Sequence, residues 1–290
     1  MIKVAIASGK GGTGKTFLST NLFAVMQEAG LQVGVVDCDA EVPNSALFLP
    51  GGQRGEWPVD VFCPSIDKDK CTLCGQCAEV CRFHAITCIP AANYVKVMTD
   101  LCHACTACSH FCPSGAIVSG RKEVGKVTAY GDADGLRLIE ARIKEGEHSP
   151  VPIIDDALRR AQIVGWEYLI LDAPPGCACP FVATVKDADI VWLVTEPTPF
   201  GLSDLKHTVK VLRRLGKPFY VIINRADVGD HKMREYLQEE GIEVLAEIPY
   251  SDRIAALYSK GALAVNAVPE MKSLFVGLMH KLLQYESSCC

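Results

Sequence analysis

Short apolar runs rich in β-branched residues alternate, along most of the chain, with stretches whose apolar residues recur at helical spacing. Ile2–Ala7 reads as a buried strand. Ser8–Thr16 is glycine-rich, and Phe17–Ala29 carries Leu18, Leu22, Val25 and Met26 at helical intervals before Gly30 stops it. Gln32–Val36 is a second strand-like run and ends in Asp37-Cys38-Asp39. Strand, helix and strand in this order form a βαβ unit, which implies a parallel sheet with helices on both faces. The alternation resumes late in the chain. Tyr168–Leu171, Ile190–Thr195, Phe219–Ile223 and Val244–Ile248 read as strands. Helical spacing occupies Ser203–Leu215, His231–Glu240, Ser251–Lys260 and Glu270–Tyr285. The expected fold class is α/β, with a doubly wound and mostly parallel sheet.

Between Ser65 and Ser119 this pattern breaks, and the stretch repeats itself internally. The run from Cys71 to Cys81 is echoed from Cys102 to Cys112, and the tails His84-Ala85-Ile86 and Gly115-Ala116-Ile117 also agree. The domain reading is therefore residues 1–64 and 120–290 as two parts of one α/β domain, with 65–119 inserted as a small separate module. Residues 120–165 are expected to rejoin the main fold through a strand pair and a helix near Ile153–Gln162.

Charge and cysteine content narrow the chemistry. The chain has 29 Lys and Arg against 34 Asp and Glu, a net charge of −5, so no nucleic-acid partner is expected. No apolar run approaches the ~18–20 residues that span a bilayer, and no export signal opens the sequence; a cytoplasmic location without a membrane partner is expected. Thiols stay reduced there, so the 15 cysteines argue for metal rather than disulfides.

The glycine-rich segment Gly9-Lys10-Gly11-Gly12-Thr13-Gly14-Lys15-Thr16 matches G-x-x-x-x-G-K-[ST] at every fixed position, between a strand and a helix. Such a loop wraps phosphate with backbone N–H groups. Lys15 is expected to reach the β- and γ-phosphates, and the Thr16 hydroxyl to bind Mg²⁺. The additional Lys10 resembles the deviant Walker A loop of the P-loop ATPase superfamily that contains MinD, ParA, Mrp and the nitrogenase iron protein. That resemblance implies an ATPase, converting ATP and water to ADP and phosphate. It also implies a homodimer on ATP binding, in which Lys10 crosses to the partner's nucleotide. It extends to Asp37-Cys38-Asp39 with Pro43-Asn44, similar to switch I, where Asp39 would position water and join the Mg²⁺ site. It extends further to Leu169–Gly176, similar to Walker B running into switch II, where Asp172 would hold Mg²⁺ and Gly176 would move with the γ-phosphate. Asn224-Arg225 resembles the adenine contact.

Each cysteine run has the spacing C-x₂-C-x₂-C-x₃-C of a bacterial ferredoxin. The fourth cysteine of each run ligates the other run's cluster in that pattern. The first [4Fe–4S] cluster would thus use Cys71, Cys74, Cys77 and Cys112, and the second Cys102, Cys105, Cys108 and Cys81. Cys81 is followed by Arg82 where the pattern expects proline. Zinc sites instead pair two shorter halves across a longer gap. His84, His103 and His110 are read as surface or packing residues. Cys38, Cys63 and Cys88 are read as packing residues, and Cys177 and Cys179 stand out because they follow switch II. The terminal Cys289-Cys290 pair shows no lipidation pattern. The apolar stripe Met271, Leu274, Phe275, Leu278, Leu282 and Leu283 is read as core-packing rather than membrane-binding.

Three roles follow. In the first, ATP gates electron transfer through the clusters, as in a reductase component. In the second, the protein assembles or carries Fe–S clusters, as Mrp-like ATPases do. In the third, it is a MinD- or ParA-like positional ATPase with redox-sensing clusters. A redox partner or an Fe–S client protein is expected. The inserted ferredoxin-like α+β module favours the first.

Overall fold

The structure is a computed structural model that describes residues 1–49 and 51–289; the side chains of Ser288 and Cys289 and all of Cys290 lie outside what it describes. Two compact units are present. The first contains residues 1–57, 126–143 and 149–290, and the second contains 58–125 and 144–148.

In chain order the elements are β1 (Ile2–Ala7), α1 (Lys15–Glu28), β2 (Val33–Asp37) and β3 (Gly52–Ile66). Then come α2 (Gln76–Glu79), β4 (Ile86–Ile89), β5 (Tyr94–Val97) and α3 (Ala107–His110). The chain continues with β6 (Ile117–Asp132), β7 (Gly135–Ile143), α4 (Val151–Val164), β8 (Tyr168–Asp172) and α5 (Cys179–Asp187). It ends with β9 (Ile190–Thr195), α6 (Pro199–Leu215), β10 (Phe219–Asn224), α7 (Lys232–Glu239), β11 (Val244–Ile248), α8 (Asp252–Tyr258) and α9 (Pro269–Cys289).

The main sheet runs β11-β10-β9-β1-β8-β2-β7-β6-β3. β1 lies between β8 and β9, parallel to both, and the parallel pairing extends outward to β11 on one side and β7 on the other. The carboxyl ends of β1, β2, β8, β9 and β10 therefore share one edge, where open α/β sheets bind ligands. A strand buried on both faces needs apolar residues throughout, and Val4, Ile170, Leu171, Val191 and Leu193 are all fully buried. The apolar stripe of α9 belongs to this core. Phe275 is buried against Phe17 of α1, ring centroids 5.8 Å apart, and Leu278 and Leu282 are buried beside it. Each such side chain contributes about 1.5–3 kcal/mol. No helix among the described residues is long and apolar enough to cross a membrane.

Two elements depart from the sequence pattern. β3 carries Pro58 and Pro64 and reads as irregular; it is the edge strand, where a missing N–H is tolerated. α5 starts directly after a proline- and glycine-rich segment, with Pro180 in its first turn, a position where proline disrupts no helical bond. The chain passes between the two units inside β3 and β6, so the strands continue through the composition boundaries near residues 65 and 119.

In the second unit, β4 and β5 form an antiparallel pair. Ile86, Cys108 and Ile117 form its small buried cluster.

Candidate functional site

The loop between β1 and α1 frames a cavity of about 300 Å³, lined by Gly11, Gly12, Gly14, Lys15 and Thr16. Gly14 holds φ +102°, and a Cβ there would stand 2.6 Å from the Asn224 amide nitrogen, so only glycine serves. Gly9 is pressed against the backbone of Asp204, where a Cβ would meet its carbonyl oxygen at 2.8 Å. Lys15 opens α1 and is 7% exposed. Gly9, Lys10 and Thr13 do not line the main cavity; they face a separate small recess beside β9 and α6.

Three carboxylates converge at the ends of β2 and β8. Asp37 and Asp172 are register partners on adjacent strands, and both are buried. Asp37 accepts hydrogen bonds from the backbone N–H groups of Asn44 and Ser45, at 3.0 and 2.9 Å, and of Asp39 at 3.1 Å. It thereby clamps the segment after β2, a role the sequence reading did not assign it. Asp172 is 1% exposed; its Oδ2 accepts from the Ser45 hydroxyl at 3.3 Å, and its Oδ1 has no hydrogen-bond partner. Burial, then the Asp37 charge, pushes Asp172 up to about 7 against the pull of Lys15 and Thr16. Burial and Asp37 also push Asp39 up to about 6, with Lys15 opposing. An orphaned buried carboxylate oxygen beside a hydroxyl and a second carboxylate suits a hard cation. Thr16, Asp39 and Asp172 are thus the residues that would hold Mg²⁺, which when bound neutralises phosphate charge.

Lys10 does not point into open solvent. Its Nζ donates to Glu196 Oε2 at 2.9 Å, and Glu196 is 5% exposed. The other oxygen, Oε1, stands 2.9 Å from an Arg225 guanidinium nitrogen, in ion-pair contact but outside hydrogen-bond geometry. Glu196 lies just beyond β9 and joins two residues singled out from sequence; nothing in the motifs pointed to it. Asn224 donates to the Thr13 carbonyl at 2.8 Å and accepts from the Arg225 N–H at 3.0 Å, tying the end of β10 to the phosphate loop. Asn224→Ala is expected to weaken ATP binding about three- to tenfold, as loss of a net ~1 kcal/mol hydrogen bond implies. Titration calorimetry checks this, and unchanged affinity would show that the loop does not depend on the tie.

The remaining wall of the cavity comes from the β11–α8 segment, including Ile248, Pro249, Tyr250 and Tyr258. Tyr258 stacks on Phe48, ring centroids 4.6 Å apart, and its hydroxyl faces the Thr16 side chain. Its apolar spacing on α8 reads as ordinary packing, so sequence alone did not nominate it.

In the second unit, Cys71, Cys74, Cys77 and Cys112 line one cavity. Cys81, Cys102, Cys105 and Cys108 line another. The fourth cysteine of each run has crossed to the other run's cavity. The loops that present them repeat their backbone: Leu73 and Ala104, Gly75 and Thr106, and His84 and Gly115 all have positive φ. A β-branched or bulky residue in that region is strained, and such strain concentrates at functional sites. Backbone N–H groups of Ala85 and Ala116 donate to the sulfurs of Cys81 and Cys112, at 3.3 and 3.2 Å. Burial, with Cys88 nearby, pushes the Cys77 thiol up to about 11. Among the described residues, no three His, Cys, Asp or Glu side chains are close enough to hold a single metal ion. His103 stacks on Phe83 at 3.8 Å and lines the second cavity. Cys38 and Cys63 are buried, whereas Cys177 and Cys179 are exposed.

Comparison with known proteins agrees with the nucleotide-site geometry. Residues 4–264 match the model of the CobQ/CobB/MinD/ParA nucleotide-binding domain. An uncharacterized protein of Methanocaldococcus jannaschii is 32% identical over 90% of both chains. An iron-sulfur cluster carrier protein of Pyrococcus horikoshii is 24% identical, over 85% of this chain and 73% of its own length. Among solved structures, the septum site-determining protein MinD of Pyrococcus horikoshii, complexed with Mg-ADP, superposes with a TM-score of 0.58 at 20% identity, covering 97% of this chain and 95% of that one. With this loop, this order of strand ends and a family match over most of its length, the chain belongs to the CobQ/CobB/MinD/ParA nucleotide-binding family.

Proposed function

We propose that the chain hydrolyses ATP as an ATP-bridged homodimer and couples the nucleotide to electron transfer through two [4Fe–4S] clusters. The single observation that carries the reading is the sorting of the eight cysteines of the two runs, four to each of two cavities, with the fourth cysteine of each run exchanged. The sulfurs of a single tetrahedral zinc site stand about 3.8 Å apart, given Zn–S bonds of about 2.3 Å. A cubane instead spreads its thiolates over four corners, which the C-x₂-C-x₂-C-x₃-C spacing of each run suits. Left-handed turns and N–H donors to sulfur stabilise thiolate charge, a further point of fit. Four-thiol sites of this kind retain a cluster, which favours electron transfer over delivery.

A second reading, an iron–sulfur cluster carrier, draws support from the names of relatives at 24% and 22% identity and from the exposed thiols of Cys177 and Cys179 after β8. Two measurements test these readings. Anaerobically prepared protein is expected to hold about eight irons per chain; stoichiometric zinc with little iron would overturn the cluster assignment. Stopped-flow oxidation of the reduced protein by a one-electron acceptor dye is expected to change rate at least several-fold with Mg-ATP. An unchanged rate, together with ATP-dependent loss of iron to an apo-ferredoxin, would select the carrier.

A further inference from the structure

The first cysteine cavity holds more thiols than a cubane needs. Cys88 lines it along with Cys71, Cys74, Cys77 and Cys112. Cys88 sits on β4 opposite Val95 of β5, and it is half-buried. Its Sγ donates a long hydrogen bond, 3.8 Å, to the carbonyl of Leu73, inside the loop that presents Cys71 and Cys74. The helix α2, which carries Cys77, packs against β4, which carries Cys88.

The internal repeat supplies a control. Laying the second run on the first pairs Cys77 with Cys108 and Cys88 with Ser119. Among the described residues, the thiols lining the second cavity are Cys81, Cys102, Cys105 and Cys108 alone. Cys63 lies beside Cys102 but is not part of that lining. Of the two cavity linings, the first thus includes a spare thiol, Cys88, and the matching position of the internal repeat is a serine.

Building on the cluster assignment above, we propose that Cys88 is an alternative ligand of the first site, able to take the iron corner assigned to Cys77. When Cys77 is lost as a ligand, the Cys88 thiol releases its proton to solvent and an Sγ–Fe bond forms at the vacated corner. The Leu73 carbonyl loses its donor in exchange. Iron and sulfur keep their oxidation states, so the exchange needs no oxidant or reductant. Thiolate is the soft ligand that iron–sulfur chemistry requires, and a hydroxyl such as that of Ser119 replaces it poorly.

Iron and acid-labile sulfide content of the full chain, prepared anaerobically, tests the proposal, with electron paramagnetic resonance of the reduced proteins. Cys77→Ala is expected to keep about eight irons while one cluster's signal changes shape. Cys108→Ala is expected to fall to about four, and so is Cys77→Ala combined with Cys88→Ala. Cys88→Ser alone is expected to keep the wild-type content. Cys77→Ala falling to about four irons, as Cys108→Ala does, overturns the proposal, as does the double variant keeping eight. Mg-ATP binding reports that each variant has folded, and where Cys77→Ala does not bind it, Cys77→Ser is read by the same counts. A wild type without iron would instead remove the cluster assignment itself.

Discussion

Lys10→Ala is expected to bind ATP within a few-fold of the wild type, to stay monomeric with ATP, and to hydrolyse it about 10³-fold more slowly. Binding survives because Lys10 does not line the nucleotide cavity, whereas the glycines and Lys15 do. On the proposed ATP-bridged dimer, hydrolysis is expected to fail because Lys10 would supply a cation across the dimer to the phosphate being transferred, as an arginine finger does in trans. The structure adds a competitor. In the single chain Lys10 is held by Glu196 at 2.9 Å, so bridging requires that ion pair to open. The pair is partly exposed on the lysine side, and Glu196→Gln is accordingly expected to shift dimerisation to ATP concentrations about two- to fivefold lower, the worth of a ~0.5–1 kcal/mol pair. The two variants thus move in opposite directions. Sedimentation with ATP, ADP and a non-hydrolysable analogue reads both; a wild type with one oligomeric state in every nucleotide condition would remove the bridge.

Asp172→Asn is expected to separate stability from activity. Hydrolysis should fall about 100-fold or more, because the charge of a carboxylate proposed to hold Mg²⁺ is removed. The nucleotide-free protein should become more stable, by about 1–3 kcal/mol, because a buried carboxylate with an unpartnered oxygen is replaced by a neutral amide. The pH dependence has a definite sign. Burial raises Asp172 from 3.8 to about 7, so the folded state binds the proton more tightly than the unfolded chain. Its contribution is therefore fully present below pH 3.8 and is lost as pH rises through about 7. Thermal unfolding without nucleotide or magnesium should show the variant's advantage growing across that window. A variant that melts below the wild type at neutral pH would mean that Asp172 is stabilising as a charge.

Much of this molecule is determined locally. The phosphate loop is legible because its glycines, Lys15 and Thr16 lie within one βα turn, where each is required by backbone geometry or by charge. The parallel strands are legible because a strand buried on both faces must be apolar throughout, as Ile190–Thr195 is. The cysteine runs are legible because their cysteines sit a fixed number of residues apart. What the tertiary structure alone decided are contacts between segments far apart in sequence. Glu196 captures Lys10 and Arg225 because β9 lies next to β1 and β10 in the sheet, an adjacency that no local pattern encodes. Asp37 clamps the chain after β2 through hydrogen bonds to main-chain N–H groups, which leave no mark on side-chain identity. Tyr258 reaches Phe48 and Thr16 only once α8 has folded against α1. Cys88, off the spacing of both runs, joins the first cavity only because the β4–β5 pair brings it there. Sequence spacing therefore identifies groups held by one turn, and strand adjacency identifies those held by the sheet, since burial and charge pairing act through space rather than along the chain.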